Sequence, residues 1–216
     1  MTGVQTCALP ISGLAASLIA LAATAPACAQ GERWSRVEES PSQEIEWKKA
    51  PPTLRKKFLA FRKSSKHCWE HEEEDWSVPS PDLVVWNLKG DARAVFQVCN
   101  LSGGGARTIT YIVMIARKTD FSDAAPAKLA YHNSGNRKVI TTSVIENPSF
   151  DLKGGGLAAN EYLDTRRDAC QQRHEWKWTG TGFSLVAIRA WRKCDEEWPG
   201  AENDRPMPLI WPKGKR

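Results

Sequence analysis

Apolar residues fall into two regimes along this chain, a helical period early on and short strand-like runs from Leu83 onward. Leu54, Phe58, Leu59 and Phe61 keep the three- and four-residue spacing of a helix, and Pro51-Pro52-Thr53 supplies its start. Together they predict a helix over residues 53–66. Its Arg55, Lys56, Lys57, Arg62 and Lys63 are expected to form a solvated face. Beyond it, Leu83-Val84-Val85-Trp86, residues 92–99, the apolar run from Thr108 to Ile115, and the β-branched stretch 138–145 read as strands. Lys89-Gly90-Asp91, Ser102-Gly103-Gly104-Gly105, Asn147-Pro148 and Gly154-Gly155-Gly156 punctuate them as turns. Strands that follow one another with no intervening helix predict a mainly β fold, an antiparallel meander or sandwich-like domain with one N-terminal helix.

The last strand pair is the most explicit. Trp176-Lys177-Trp178, the turn Thr179-Gly180-Thr181-Gly182 and Phe183-Ser184-Leu185-Val186 read as a hairpin pairing Trp178 with Phe183 and Trp176 with Leu185. Extending that register places Cys194 opposite Arg167 rather than Cys170. Three residues of strand is about 10 Å, beyond disulfide reach. A Cys170–Cys194 bond therefore requires a bulge or bend near Arg167 or Trp191, and otherwise the connectivity differs.

The N-terminus divides into two pieces. Residues 1–11 resemble the conceptual translation of a short-read sequencing adapter, which would remove Cys7 from consideration. Residues 14–23 form an apolar core ending in Ala27-Cys28-Ala29, the small-x-small pattern of a signal-peptidase site, so cleavage before Gln30 is expected. A lipoprotein acylated at Cys28 is disfavoured because Ala25-Pro26-Ala27 lacks the leucine of such sites. A retained anchor is disfavoured because the run is short and alanine-rich. Residues 30–52 are polar and broken by Pro41, Pro51 and Pro52, and read as a flexible arm. Residues 53–216 then form a single β-rich domain, expected as a monomer with no membrane span after cleavage.

Composition narrows the class. A net charge of +5 in 216 residues is mildly basic, and export argues against nucleic acid as a partner. Cys68, Cys99, Cys170 and Cys194 remain after processing, an even count without zinc-type spacing, which favours two disulfides. Local pairing, Cys68–Cys99 and Cys170–Cys194, is preferred among the three connectivities. His67-Cys68-Trp69-Glu70-His71 matches H-x-x-E-H, the zinc motif of one peptidase class, with His67 and His71 as candidate ligands and Glu70 as base. A third ligand cannot be nominated, and Cys68 is better explained as half of a disulfide. Ten tryptophans offer Trp176, Trp178, Trp191 and Trp198 as a candidate binding face for sugar rings or a protein. Packing on one another in the core is the preferred alternative. His132 and His174 stand in no motif, and no catalytic residue or cofactor is nominated.

Asn147-Pro148-Ser149-Phe150-Asp151, Cys170, Trp176-x-Trp178 and Gly182-Phe183-x-Leu185-Val186 resemble the bacterial domain-of-unknown-function 1176 family. Arg189, Cys194, Trp198-Pro199 and Ile210-Trp211 continue the pattern, and the Leu83 to Cys99 segment is similar to the strand pair before it. The similarity spans about two-thirds of residues 30–216. It departs at Thr165-Arg166-Arg167-Asp168-Ala169, at the stretch from Gly200 to Met207, and in lacking an N-terminal half. The resemblance implies a periplasmic or secreted bacterial protein and transfers no catalytic residue. The expected function is a non-enzymatic binding or interaction module of the cell envelope, with a glycan or protein partner. The alternative is an envelope-polymer hydrolase, zinc-dependent through His67 and His71 or using a carboxylate pair.

Overall fold

The structure, a computed structural model, describes residues 34–65, 68, 82–102, 108–133, 138–151, 155–163, 171–190 and 207–212. In chain order these form β1 (Trp34–Arg36), β2 (Gln43–Ile45), α1 (Pro52–Ser64), β3 (Leu83–Asn87), β4 (Arg93–Ser102), β5 (Thr108–Ala116), β6 (Ala125–Pro126) and β7 (Leu129–His132). There follow β8 (Val139–Thr142), β9 (Val144–Glu146), β10 (Pro148–Asp151), β11 (Gly156–Tyr162), β12 (Gln171–Trp178), β13 (Phe183–Ala190) and β14 (Leu209–Trp211). All pairings are antiparallel. One sheet runs β1-β10-β11-β12-β13-β14, and a second runs β2-β3-β4-β5-β6 with β9 also on β5. A ribbon of β7 and β8 completes the set.

Side-chain alternation explains why the sheets stack. On β3, β4 and β5, Val84, Trp86, Ala94, Phe96, Tyr111 and Val113 face one way and join Phe150, Leu157, Trp176 and Trp178 of the first sheet in one core. The intervening Leu83, Val85, Val95, Cys99, Ile112 and Met114 face the other way, onto Leu54 and Phe58 of α1. The second sheet is therefore buried on both faces, which is why its strands read as nearly unbroken apolar runs. The result is three layers, helix on sheet on sheet, and the expected antiparallel sandwich with one helix holds.

Two departures concern the N-terminal part. The segment expected as a flexible polar arm instead supplies β1 to one sheet and β2 to the other, with Trp34 opposite Asp151 and Gln43 opposite Val85. Three residues of strand carry too little apolar signal to be seen in sequence. The solvated face expected of α1 is also incomplete. Arg62 lies four residues after Phe58 and eight after Leu54, on the inward stripe, and is buried. Its guanidinium donates to Gln97 Oε1 (3.3 Å) and to the carbonyl of Val98. Burial lowers its pKa to about 10. Lys57 donates to the carbonyl of Ala124 at 2.7 Å.

The helix is also held covalently. Cys99 sits in a β-bulge, between the pairs Val98↔Tyr111 and Asn100↔Thr110. Such an extra residue re-aims a side chain, and Cys99 belongs to the core shared with α1, where it bonds to Cys68 with Cα atoms 5.0 Å apart. The Cys68–Cys99 pairing expected from sequence is present. Closing a loop of 31 residues in the unfolded chain contributes about 3–4 kcal/mol by the entropic model. Replacing both residues, Cys68→Ser with Cys99→Ser, is expected to lower unfolding stability by that amount. Urea denaturation of wild type and the double variant, both kept oxidised, checks it.

Candidate functional site

The closing hairpin turns at Thr179–Gly182, where the Thr179 amide donates to the carbonyl of Gly182 at 2.9 Å. Gly180 adopts φ of 92°, a conformation open to glycine at little cost. The register is the expected one at Trp178↔Phe183 and Trp176↔Leu185. It then shifts by one, to Glu175↔Ala187 and onward to Gln172↔Ala190, which leaves Val186 as the extra residue of a bulge. This bulge is distinct from the one near Arg167 or Trp191 that a Cys170–Cys194 bond requires, and those two positions lie outside the described residues. From the last described pair, two residues lead back to Cys170 and four lead on to Cys194. Cys170, Cys194, Trp191, Trp198, His67 and His71 lie outside the described residues.

Trp176 and Trp178 do not form an exposed face. They are 1% and 7% exposed, because even-numbered positions of β12 point at the opposing sheet. Their ring N–H groups are also committed, Trp176 to the carbonyl of Ala130 (2.8 Å) and Trp178 to that of Lys89 (2.9 Å). The candidate binding face is corrected accordingly for these two, and packing accounts for them.

The same inward face carries a group of polar residues that no sequence motif announced. His174 is fully buried beside Trp176, and the Tyr131 ring from β7 lies over both, with centroids 4.0 Å from His174 and 6.5 Å from Trp176. His174 Nε2 accepts from the backbone amide of His132 at 3.1 Å and lies 3.1 Å from the Gln172 amide nitrogen. That amide nitrogen also donates to the carbonyl of His132 at 2.8 Å. With donors facing Nε2, the proton of the neutral ring belongs on Nδ1. Nδ1 is buried and has no hydrogen-bond partner among the described residues. Burial, the largest effect, lowers the His174 pKa to about 4. Tyr131 is shifted well above the ordinary tyrosine range by burial and by the charges of Glu161 and Glu146, and it hydrogen-bonds Glu161. Gln172, His174 and Trp176 alternate along β12, so the strand period puts His174 on the Trp176 face. Tyr131 and His132 come from β7, and no linear pattern joins them to it.

Chemically, this group locks layers together. A general base needs a pKa near the working pH and contact with the atom it deprotonates. His174 has a neutral ring at pH 7, an occupied acceptor nitrogen and no solvent contact. Its geometry joins the β7–β8 ribbon to β12.

The outward face of β12 is charged. Glu175 Oε1 receives both Arg173 Nε (3.4 Å) and Arg189 Nε (3.0 Å), so two guanidinium groups share one carboxylate oxygen. Arg173 lies over the Trp34 ring, 4.8 Å from its centroid, and burial lowers its pKa. The ring can approach because residue 156 is glycine. A Cβ there would meet Trp34 at 3.1 Å. Arg189 reaches the carbonyl of Met207 at 3.4 Å. The network, two guanidinium groups on one carboxylate, ties together β1, β12, β13 and the approach to β14. Among the described residues no three His, Cys, Asp or Glu side chains gather as a metal site.

No protein-family model, curated protein or solved structure matches this chain.

The pH dependence of stability follows from His174. The unfolded imidazole titrates near 6.5 and the folded one near 4, so the folded state favours the neutral ring. Stability is complete above about pH 6.5 and falls as acid protonates the unfolded chain first, reaching a loss of about 3 kcal/mol below pH 4. His174→Phe keeps a ring in the stack and removes this titration. Urea denaturation at pH 7, 5.5 and 4 is expected to show a steeper acid loss in wild type than in the variant.

Proposed function

We propose that the protein is an exported, non-enzymatic binding module of a bacterial cell envelope, akin to the domain-of-unknown-function 1176 family that its Asn147–Asp151 and Trp176–Val186 residues resemble. The Cys68–Cys99 disulfide supports a location outside the cytoplasm, where such bonds persist. The signal-like residues 14–29 support export, and the finer placement is periplasmic or secreted. No helix among the described residues is long and apolar enough to cross a membrane.

The observation that carries the binding reading is how the side chains are divided between core and surface. Among the described residues, the group with the most acid–base potential, His174 with its neighbours, is sealed and neutral. What meets solvent is recognition chemistry. Cationic side chains line α1, and apolar ones sit on strand edges, with Val139 and Ile140 on β8 and Leu209 and Trp211 on β14. Surface cations and apolar side chains can hold a partner by charge and contact without supplying an acid, a base or a nucleophile.

Cosedimentation tests this reading directly. The purified protein is mixed with insoluble peptidoglycan and with envelope membrane vesicles, and both retention and release of soluble fragments are measured. Retention without fragment release is the expected outcome. Release of fragments in proportion to added protein, or retention by neither fraction, would overturn it.

A further inference from the structure

Helix α1 carries five cationic side chains and no acidic one. Two of the five have structural partners, Lys57 at the Ala124 carbonyl and Arg62 at Gln97 and Val98. Of the other three, Lys56 and Lys63 stand in line two turns apart, and Arg55 flanks them one residue before Lys56. With Pro52, Leu59 and Ala60 they line a groove of about 430 Å³. None of the three makes an ion pair or hydrogen bond among the described residues. Arg55 Nε is shielded from solvent and has no partner. The Arg55 guanidinium, with none of its donors committed among the described residues, still offers the fork that suits phosphate oxygens. Arg55 also closes the first turn, its amide bonding the Pro51 carbonyl, and no acidic residue stands in that turn to offset it.

The groove has the size of a small-ligand site. Among the described residues its lining is mixed, three cations with proline, leucine and alanine. An acidic peptide would satisfy the charges and leave the floor uncovered. A phosphate headgroup with the start of its acyl chains satisfies both. We propose that this side of α1 binds the phosphate headgroup of an anionic envelope lipid, with Arg55 as the central donor, Lys56 and Lys63 as flanking charges, and Leu59 and Ala60 under the first apolar carbons. The proposal rests on the envelope-module reading and names a ligand class for it.

Flotation with lipid vesicles tests it. The purified protein is expected to float with phosphatidylcholine vesicles that contain phosphatidylglycerol and to stay behind with pure phosphatidylcholine. Neutralising all three cations, Arg55→Gln with Lys56→Gln and Lys63→Gln, should weaken partitioning roughly 100-fold, since each basic residue near an anionic surface contributes roughly fivefold. Lys56→Gln and Lys63→Gln alone, at exposed positions, should each weaken it roughly fivefold and leave the urea midpoint unchanged. Equal flotation with both vesicle types, flotation unchanged by the substitutions, or binding of polyglutamate without binding of vesicles would each overturn the site. Retention on peptidoglycan without any vesicle preference overturns the groove alone. Retention by no envelope fraction and no vesicle overturns the module reading with it.

Discussion

Three buried indole N–H groups hold the layers of this protein in place. Trp86 of the second sheet donates to the carbonyl of Val37, just past β1 of the first. Trp178 of the first sheet donates to Lys89, in the turn between β3 and β4 of the second. Trp176 donates to Ala130 of the ribbon strand β7. Each bond pairs a polar atom that burial would otherwise leave costly with a carbonyl from a different layer. Hydrophobic contact brings the sheets together without choosing their relative position. A directional bond from a large ring chooses it. Trp86 adds a stack on Phe150, centroids 4.6 Å apart, so the same ring fixes both the spacing and the alignment of the sandwich.

The chain must also change sheets, and one residue marks the corner. β9 pairs with β5 in the second sheet, whereas β10 pairs with β11 in the first. Between them Asn147 adopts φ of 42°. Its amide donates to the Ile109 carbonyl at 2.8 Å, and its side-chain oxygen accepts from the Ile109 amide at 3.0 Å. Asparagine tolerates this conformation better than most residues, and the following Pro148 starts β10 in extended geometry. Asn147-Pro148 was legible as punctuation. That the punctuation is a crossing between layers was not, because the crossing depends on Ile109, far away in sequence.

Legibility followed the length and purity of each periodic signal. The helix emerged at Pro52–Ser64 from an apolar stripe, and the hairpin register emerged from two tryptophans and a glycine turn. Signals failed where a residue type contradicted its position. Arg62 reads as surface by charge and is buried by spacing, because Gln97 and Val98 offer it acceptors inside. β1 and β2 failed because three residues cannot display a period. Val186 is one more β-branched residue in a strand, and nothing local says that it bulges. The tryptophans suggested a binding face by number alone. The burial of Trp86, Trp176 and Trp178 shows that a sandwich with two cores consumes aromatic material.

Charge follows a similar division of labour. On the outer face of β12 the cations share a carboxylate, Arg173 and Arg189 at Glu175, and Arg173 also has the Trp34 ring. Cations so placed have their electrostatic demand largely met within the fold. On α1 the balance is different. The helix is clamped by the disulfide at Cys68, by Arg62 and by the apolar stripe, which together fix which side faces outward. The side so presented holds Arg55, Lys56 and Lys63 with no carboxylate of their own helix to answer them. The buried contacts of α1 come from other residues, so these three cations are left at the surface to meet whatever approaches the helix from outside.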